Sequence, residues 1–276
     1  PLIKKLVKEY GPLLKSGYID LGNTSGYRKA AHEAAATNGL HLAEALPYLF
    51  KMNQTASFPE QLKLINQYSR QFGFKIGVDF KDTGGNVQPI DRRKANGAIF
   101  NRAFLMLISD FEYMPVEVVR AAGLKHLRIV QDFVDPNQRV NNIAAEAITP
   151  DTIDINLSDI LADRPQDVRH ELGHIFDYSF CGDSGFNYYD PQYTDLNPAG
   201  FEYGTSGYWQ NATISQYGAS NQREDKAEMF AHIFGGIDMA AVNSRHVAIR
   251  QKYDLLLARL NQKVPGAVEY FKQISR

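Results

Sequence analysis

The stretch Val168-Arg169-His170-Glu171-Leu172-Gly173-His174-Ile175-Phe176-Asp177 carries an H-E-x-x-H pattern. At 3.6 residues per turn, side chains four apart leave a helix on the same face, so His170 and His174 can share one metal ion. The spacing therefore predicts a divalent metal, most simply zinc. Glu171 sits about 100° further round the helix than His170. Its carboxylate is expected beside the metal rather than on it, placed as a general base toward an attacking water. Val168, Leu172, Ile175 and Phe176 give the same helix an apolar surface that would seat it against a core. Gly173 costs about 1 kcal/mol against alanine inside a helix, which predicts a close visitor to the backbone there. Asp177 returns to the histidine face, where it would either orient an imidazole through its second ring nitrogen or stand as a solvated helix-end acid.

A partner helix is predicted downstream. Ser220-Asn221-Gln222-Arg223 introduces a run through Glu224, Asp225, Ala227, Glu228, Met229, Phe230, Ile233 and Phe234 that stops at Gly235-Gly236. Glu224 and Glu228 are four apart and share a face. A tetrahedral catalytic zinc takes three protein ligands and leaves the fourth position open, so His170, His174 and Glu224 would complete a set, with Glu228 holding a histidine from behind. A competing use exists for Glu224, as the third helical residue of a capping box whose N-cap is Asn221. His232, four residues beyond Glu228, is a rival ligand or a partner for a carboxylate.

His170-Glu171-Leu172-Gly173-His174 with Asp177, then Tyr217-Gly218, Glu224 and Ala227-Glu228, resembles the catalytic domain of anthrax lethal factor and related gluzincin metalloendopeptidases. The likeness covers residues 165–236, and 75–276 by order of elements. It implies a zincin-like fold, with zinc ligands at His170, His174 and Glu224, the general base at Glu171 and a transition-state hydroxyl donor at Tyr217. Two other zinc schemes do not fit. Gly204-Thr205-Ser206-Gly207-Tyr208 lacks the aspartate of the aspzincin motif, and Phe180 occupies the place of the third metzincin ligand. The recognition and targeting domains of lethal factor find no counterpart in this chain, so toxin action is not implied.

With 276 residues there is ample chain for a real core, and 30 basic against 31 acidic residues give no general attraction to nucleic acid or an anionic membrane. Cys181 is the only cysteine, which rules out an intrachain disulfide and a cysteine-rich metal site. No apolar run approaches the roughly 18 residues of a membrane span. The sequence starts at Pro1 without an initiator methionine or signal pattern. Localisation stays open, with a secreted or cell-surface bacterial protein favoured if a targeting segment has been trimmed.

The expected class is α+β, with a helical N-terminal region at 1–73 and a zincin-like catalytic domain at 74–276. Helical spacing recurs at 28–37, 41–52 and 59–72. A strand is expected within 74–80, a long buried helix over 92–114, and a short helix over 115–122 ending at Gly123. Strands at 127–130, 143–148 and 152–157 would form a small mixed sheet just before the metal helix. Residues 180–217 show no sustained period, and their tyrosines would line either a substrate cleft or the interior. Two terminal helices, 245–260 and 267–274, close the chain, with His246 in a structural role.

The residues together predict a zinc metallopeptidase that hydrolyses internal bonds of a peptide or protein substrate. Two alternatives stand beside it. One is a binding or regulatory protein on the same scaffold with little turnover, which the intact Glu171 disfavours. The other is a zinc amidase acting on a non-peptide amide, which the same ligand set would serve.

Overall fold

A computed structural model describes residues 57–81, 87–93, 95–111, 114–134, 143–161, 165–181, 189–205, 209–235 and 246–274. The helices expected at 28–37 and 41–52, with most of the 1–73 region, lie outside them. The chain divides into two compact units. One holds residues up to 112, 126–144 and 154–165; the other holds 113–125, 145–153 and 166–276. The four-stranded sheet has strand order β1-β3-β6-β5, made of β1 (Lys75–Val78), β3 (His126–Val130), β5 (Ala145–Thr149) and β6 (Thr152–Asn156), and a two-stranded ribbon pairs β2 (Val87–Gln88) with β4 (Asp132–Phe133). Helices interleave with these strands, as an α+β reading expects.

In the first unit, α1 (Phe58–Ser69) lies against β1, and α2 (Gly97–Asp110) presents Phe100, Ala103, Phe104 and Leu107 to the interior. β1 runs parallel to β3, with Ile76 opposite Leu127. Asn66 of α1 completes the ladder at the outer side of β1: its side-chain amide donates to the Ile76 carbonyl and accepts the Ile76 N–H, both at 2.8 Å. Phe72, Phe74 and Phe111 stack with centroids 5.0–6.1 Å apart. On the sheet, Arg128 forks onto the fully buried Asp154 with bonds of 2.6 and 2.5 Å, a bidentate geometry suited to a buried carboxylate.

The second unit contains α3 (Val116–Ala122), β5, α5 (Pro165–Cys181), the short α6 (Pro191–Thr194), α7 (Gln222–Phe234), α8 (Val247–Lys263) and α9 (Ala267–Ile274), while α4 (Leu157–Leu161) belongs to the first. α3 stops at Gly123, whose φ of 92° is a left-handed conformation that suits glycine. Proline opens α5, where a missing N–H costs nothing. Val168, Leu172, Ile175 and Phe176 are all fully buried, and each contributes about 1.5–3 kcal/mol of apolar burial. Phe176 meets Phe230 of α7 edge to face at 5.1 Å, and Phe230 stacks on Phe234.

Gly173 is where the two helices come closest. A Cβ there would stand 2.9 Å from the Phe230 Cβ and 3.1 Å from the Ala227 Cα. The close visitor expected from the sequence is therefore α7, and only glycine lets it in. β5 forms one edge of the four-stranded sheet. It is joined to β6 by the two-residue turn Pro150-Asp151, a connection that makes the pair antiparallel.

Candidate metal centre

The tight crossing at Gly173 decides what the polar sides of α5 and α7 can reach. His170 and His174 leave α5 one turn apart, with ring centroids 4.8 Å apart. Glu224, in the first turn of α7, brings Oε2 to 2.9 Å from His170 Nε2 and 3.3 Å from His174 Nε2. One ligand atom from each of the three residues lies within 4.8 Å of the other two, which is a grouping that could hold a metal ion. The donors are two imidazole nitrogens and a carboxylate oxygen, a set that suits zinc among other divalent ions.

The capping alternative resolves into a division of labour. Asn221 is the N-cap, and its Oδ1 accepts the N–H of Arg223 at 2.9 Å and of Glu224 at 3.1 Å. The Glu224 side chain turns to the imidazoles. Its backbone is capped while its carboxylate is free for other work. Glu228, one turn on, places Oε1 2.8 Å from His170 Nδ1. That contact favours a proton on Nδ1, so Nε2, whose own proton is directed at Glu224 in the metal-free protein, is the nitrogen free to become a ligand once that proton is lost.

Glu171 lies beside this group and is 9 % exposed. Its Oε2 accepts the N–H of Ala147, in β5, at 2.7 Å. Burial pushes the Glu171 carboxyl above its usual range, against the pull of His174 and His170 and the Ala147 bond. Burial works against a charged His170, but its bonds to Glu224 and Glu228 prevail and hold it up at about 10. The same imidazole bonds carry Glu224 well below the carboxylate range in spite of its burial. Three acids thus face two histidines, and among the described residues no lysine or arginine pairs with Glu171, Glu224 or Glu228. A cation is what the electrostatics lack.

Tyr217 stands at the open side, 60 % exposed, with its ring 5.7 Å from that of His170. Partial burial together with the charges of Glu224 and Glu171 raises its hydroxyl well above the ordinary tyrosine value. It remains a donor at neutral pH.

Asp177 takes Lys226 as partner, with Nζ to Oδ2 at 2.5 Å. His232 bonds its own helix, with Nδ1 2.8 Å from the Glu228 carbonyl oxygen, and is absent from the ligand grouping. His246 caps α8 by accepting the Ala248 N–H, the structural role its position suggested. The tyrosines of 180–217 divide: Tyr193 is fully buried and Tyr203 donates to Asp225 at 2.8 Å, while Tyr189 and Tyr217 are exposed.

Sequence reasoning missed a second charged group in this unit. Lys226, fully buried, joins Asp177 and stands 3.7 Å from Asp190. Asp190 is forked by Arg259 of α8, and Asp225 pairs with the fully buried Lys252 at 2.6 Å. The only hint was three adjacent charges, Glu224-Asp225-Lys226, on a helix that must bury two faces. No described helix is long and apolar enough to cross a membrane. No family model, curated protein or solved structure matches the chain.

Proposed function

We propose that this chain is a zinc-dependent metalloendopeptidase of the gluzincin type, acting on internal bonds of a peptide or protein substrate. The observation that carries the reading is the convergence of His170, His174 and Glu224 from two helices, with the acid Glu171 beside them and, among the described residues, no lysine or arginine on them. His170, His174 and Glu224 would hold the zinc. When bound, the ion supplies Lewis acidity toward a carbonyl and makes water a competent nucleophile at neutral pH.

The chain's own groups supply the rest. Glu171 takes the proton of the attacking water and returns it to the leaving amine. The Ala147 amide fixes one Glu171 oxygen and leaves the other to the proton. Glu228 fixes the tautomer and ring plane of His170. Tyr217 donates its hydroxyl hydrogen to the oxygen on which negative charge develops, a bond worth most when it tightens only in the transition state. The outer edge of β5 offers backbone groups to an extended peptide. In the antiparallel pair the Asn156 N–H bonds the Ala144 carbonyl at 2.8 Å, so alternation turns residues 145 and 147 outward.

The test is metal content together with cleavage of a diverse peptide library by wild type and Glu171→Gln protein. About one zinc per chain in both, with turnover lowered by roughly 10²–10⁴ in the variant, is expected. Zinc without cutting in wild type transfers the site to a non-peptide amide or a binding role. An absence of bound metal in wild type defeats the reading.

A further inference from the structure

Residues 212–220 form a buried frame with an exposed tip. Ala212, Thr213, Ile214, Gly218 and Ala219 are buried, while Gln216 and Tyr217 are exposed. The frame is stitched by its own bonds: Thr213 Oγ1 donates to the Ser215 carbonyl at 2.7 Å, the Gly218 N–H to Ser215 Oγ at 3.0 Å, and the Ser220 N–H to the Tyr217 carbonyl at 3.0 Å. All three are internal to the turn. Lys252 of α8, fully buried, reaches it from outside. Its three ammonium protons have three acceptors, Asp225 Oδ2 at 2.6 Å, the Ala212 carbonyl at 2.8 Å and the Tyr203 hydroxyl at 3.4 Å. Tyr203 in turn donates to the same Asp225 oxygen at 2.8 Å. The other Asp225 oxygen faces the turn: a Cβ on Gly218 would stand 3.5 Å from Oδ1 and 3.2 Å from the Asp225 Cα.

Lys252 therefore grips the frame where it begins, at Ala212, and sets the carboxylate against which Gly218, the neighbour of Tyr217, is packed. We infer that Lys252 is a positioning residue for Tyr217, fixing the turn that carries it to the helix that carries Glu224. Stability alone does not call for a charge pair here, because apolar side chains of like volume commonly serve as well. What the ammonium adds is direction, since it bonds along its N–H axes and one of them is given to a main-chain carbonyl of the turn. The inference rests on the metallopeptidase reading and deepens it: an exposed hydroxyl steadies an oxyanion only if the backbone beneath it is held still.

Peptide kcat and KM, with zinc dissociation constants from chelator competition, test it in wild type, Lys252→Met, Tyr217→Phe and the Lys252→Met/Tyr217→Phe double variant. Lys252→Met is expected to lower kcat roughly 10–100-fold, the scale for a group displaced by about 1 Å. KM and zinc affinity should stay near wild type, because the hydroxyl acts in the transition state and the ligands are untouched. On the Tyr217→Phe background the lysine change should add less than about twofold, because the hydroxyl it positions is gone. Lys252→Met leaves the Asp225 charge without its cation. Should it not fold, Lys252→Met/Asp225→Leu removes both charges at similar volume and must show the same loss and the same dependence on Tyr217. A folded variant with wild-type kcat, a Tyr217→Phe protein with wild-type kcat, a loss fully additive with that of Tyr217→Phe, or a loss that follows weakened zinc binding overturns the inference while leaving the peptidase reading in place. A wild type that binds no zinc or cuts no peptide overturns both.

Discussion

Two charged clusters in the same unit draw on the same two helices, and they are built on opposite plans. In the closed cluster each carboxylate has a permanent cation: Asp177 with Lys226, Asp190 with Arg259, Asp225 with Lys252. In the candidate metal centre Glu171, Glu224 and Glu228 have two histidines and, among the described residues, no lysine or arginine. The closed cluster gives each acid a basic side chain and ties α5, α7 and α8 together. The open cluster is an unfinished charge balance that a divalent ion would complete. The difference teaches which buried acids hold a fold and which wait for a ligand.

The largest effect is expected where the closed plan is broken. Lys226→Met leaves Asp177 short of its cation and should cost about 3–5 kcal/mol in urea denaturation, to a similar extent with and without zinc. A loss under 1 kcal/mol would mean the pair is dispensable and the contrast false. Next comes the open plan. Glu224→Ala should weaken zinc by about 100-fold or more, beyond the roughly 10–100-fold typical of an outer partner. The zinc-induced stabilisation, about 4 kcal/mol at a thousandfold excess over Kd for wild type, should shrink with it. Stability without metal should change far less than in Lys226→Met.

Gly173→Ala tests the crossing that serves both clusters. The added Cβ must push Phe230 and the Ala227 backbone away, at about 1–3 kcal/mol, and zinc affinity should fall as Glu224 is carried from the histidines. Unaltered stability would show that the helices can part freely. The smallest effect per step of the variable is a pH dependence, counted for each pH unit. Without metal His170 is held at about 10, above its ordinary 6.5, so near pH 7 a proton must leave before zinc can bind. Affinity should therefore tighten up to about tenfold per pH unit as pH rises from roughly 6.5, until the proton is gone near 10. For the metal-free protein the same shift gives stability that is fully present below about 6.5 and lost as pH rises through about 10. Competition titrations and urea melts across that range check both signs; a flat affinity profile would mean the His170 proton is not there.

What the sequence made legible follows from this contrast. The two histidines and Glu171 are four or fewer residues apart, so helix geometry alone relates them. Glu224 and Glu228 were readable as a pair, with Glu228 expected behind a histidine, where it stands, and with two uses open to Glu224. A carboxylate at the third position of a helix suits a cap and a ligand equally, and only the crossing at Gly173 brings it to the imidazoles. Gly173 itself announced a close approach without saying to what. The closed cluster was illegible for a physical reason. Asp190 and Arg259 are 69 residues apart, and a lysine on an amphipathic helix reads as solvated until its partner is known. The pairing of Asp177 with Lys226 was hidden on the same account. The sheet, α3 with its glycine stop and the terminal helices were legible because period and punctuation are local signals.

The bond between Ala147 and Glu171 reaches beyond the base that it holds. It makes the edge of β5 a comb with one tooth missing. The N–H of Ala145 faces outward about 7 Å from that of Ala147, and the latter is already taken. An extended chain laid along that edge would find a donor for the carbonyl opposite Ala145, and none for the carbonyl at the gap. That gap lies beside Glu171, so the comb would phase its visitor, leaving one carbonyl undressed where the acid waits.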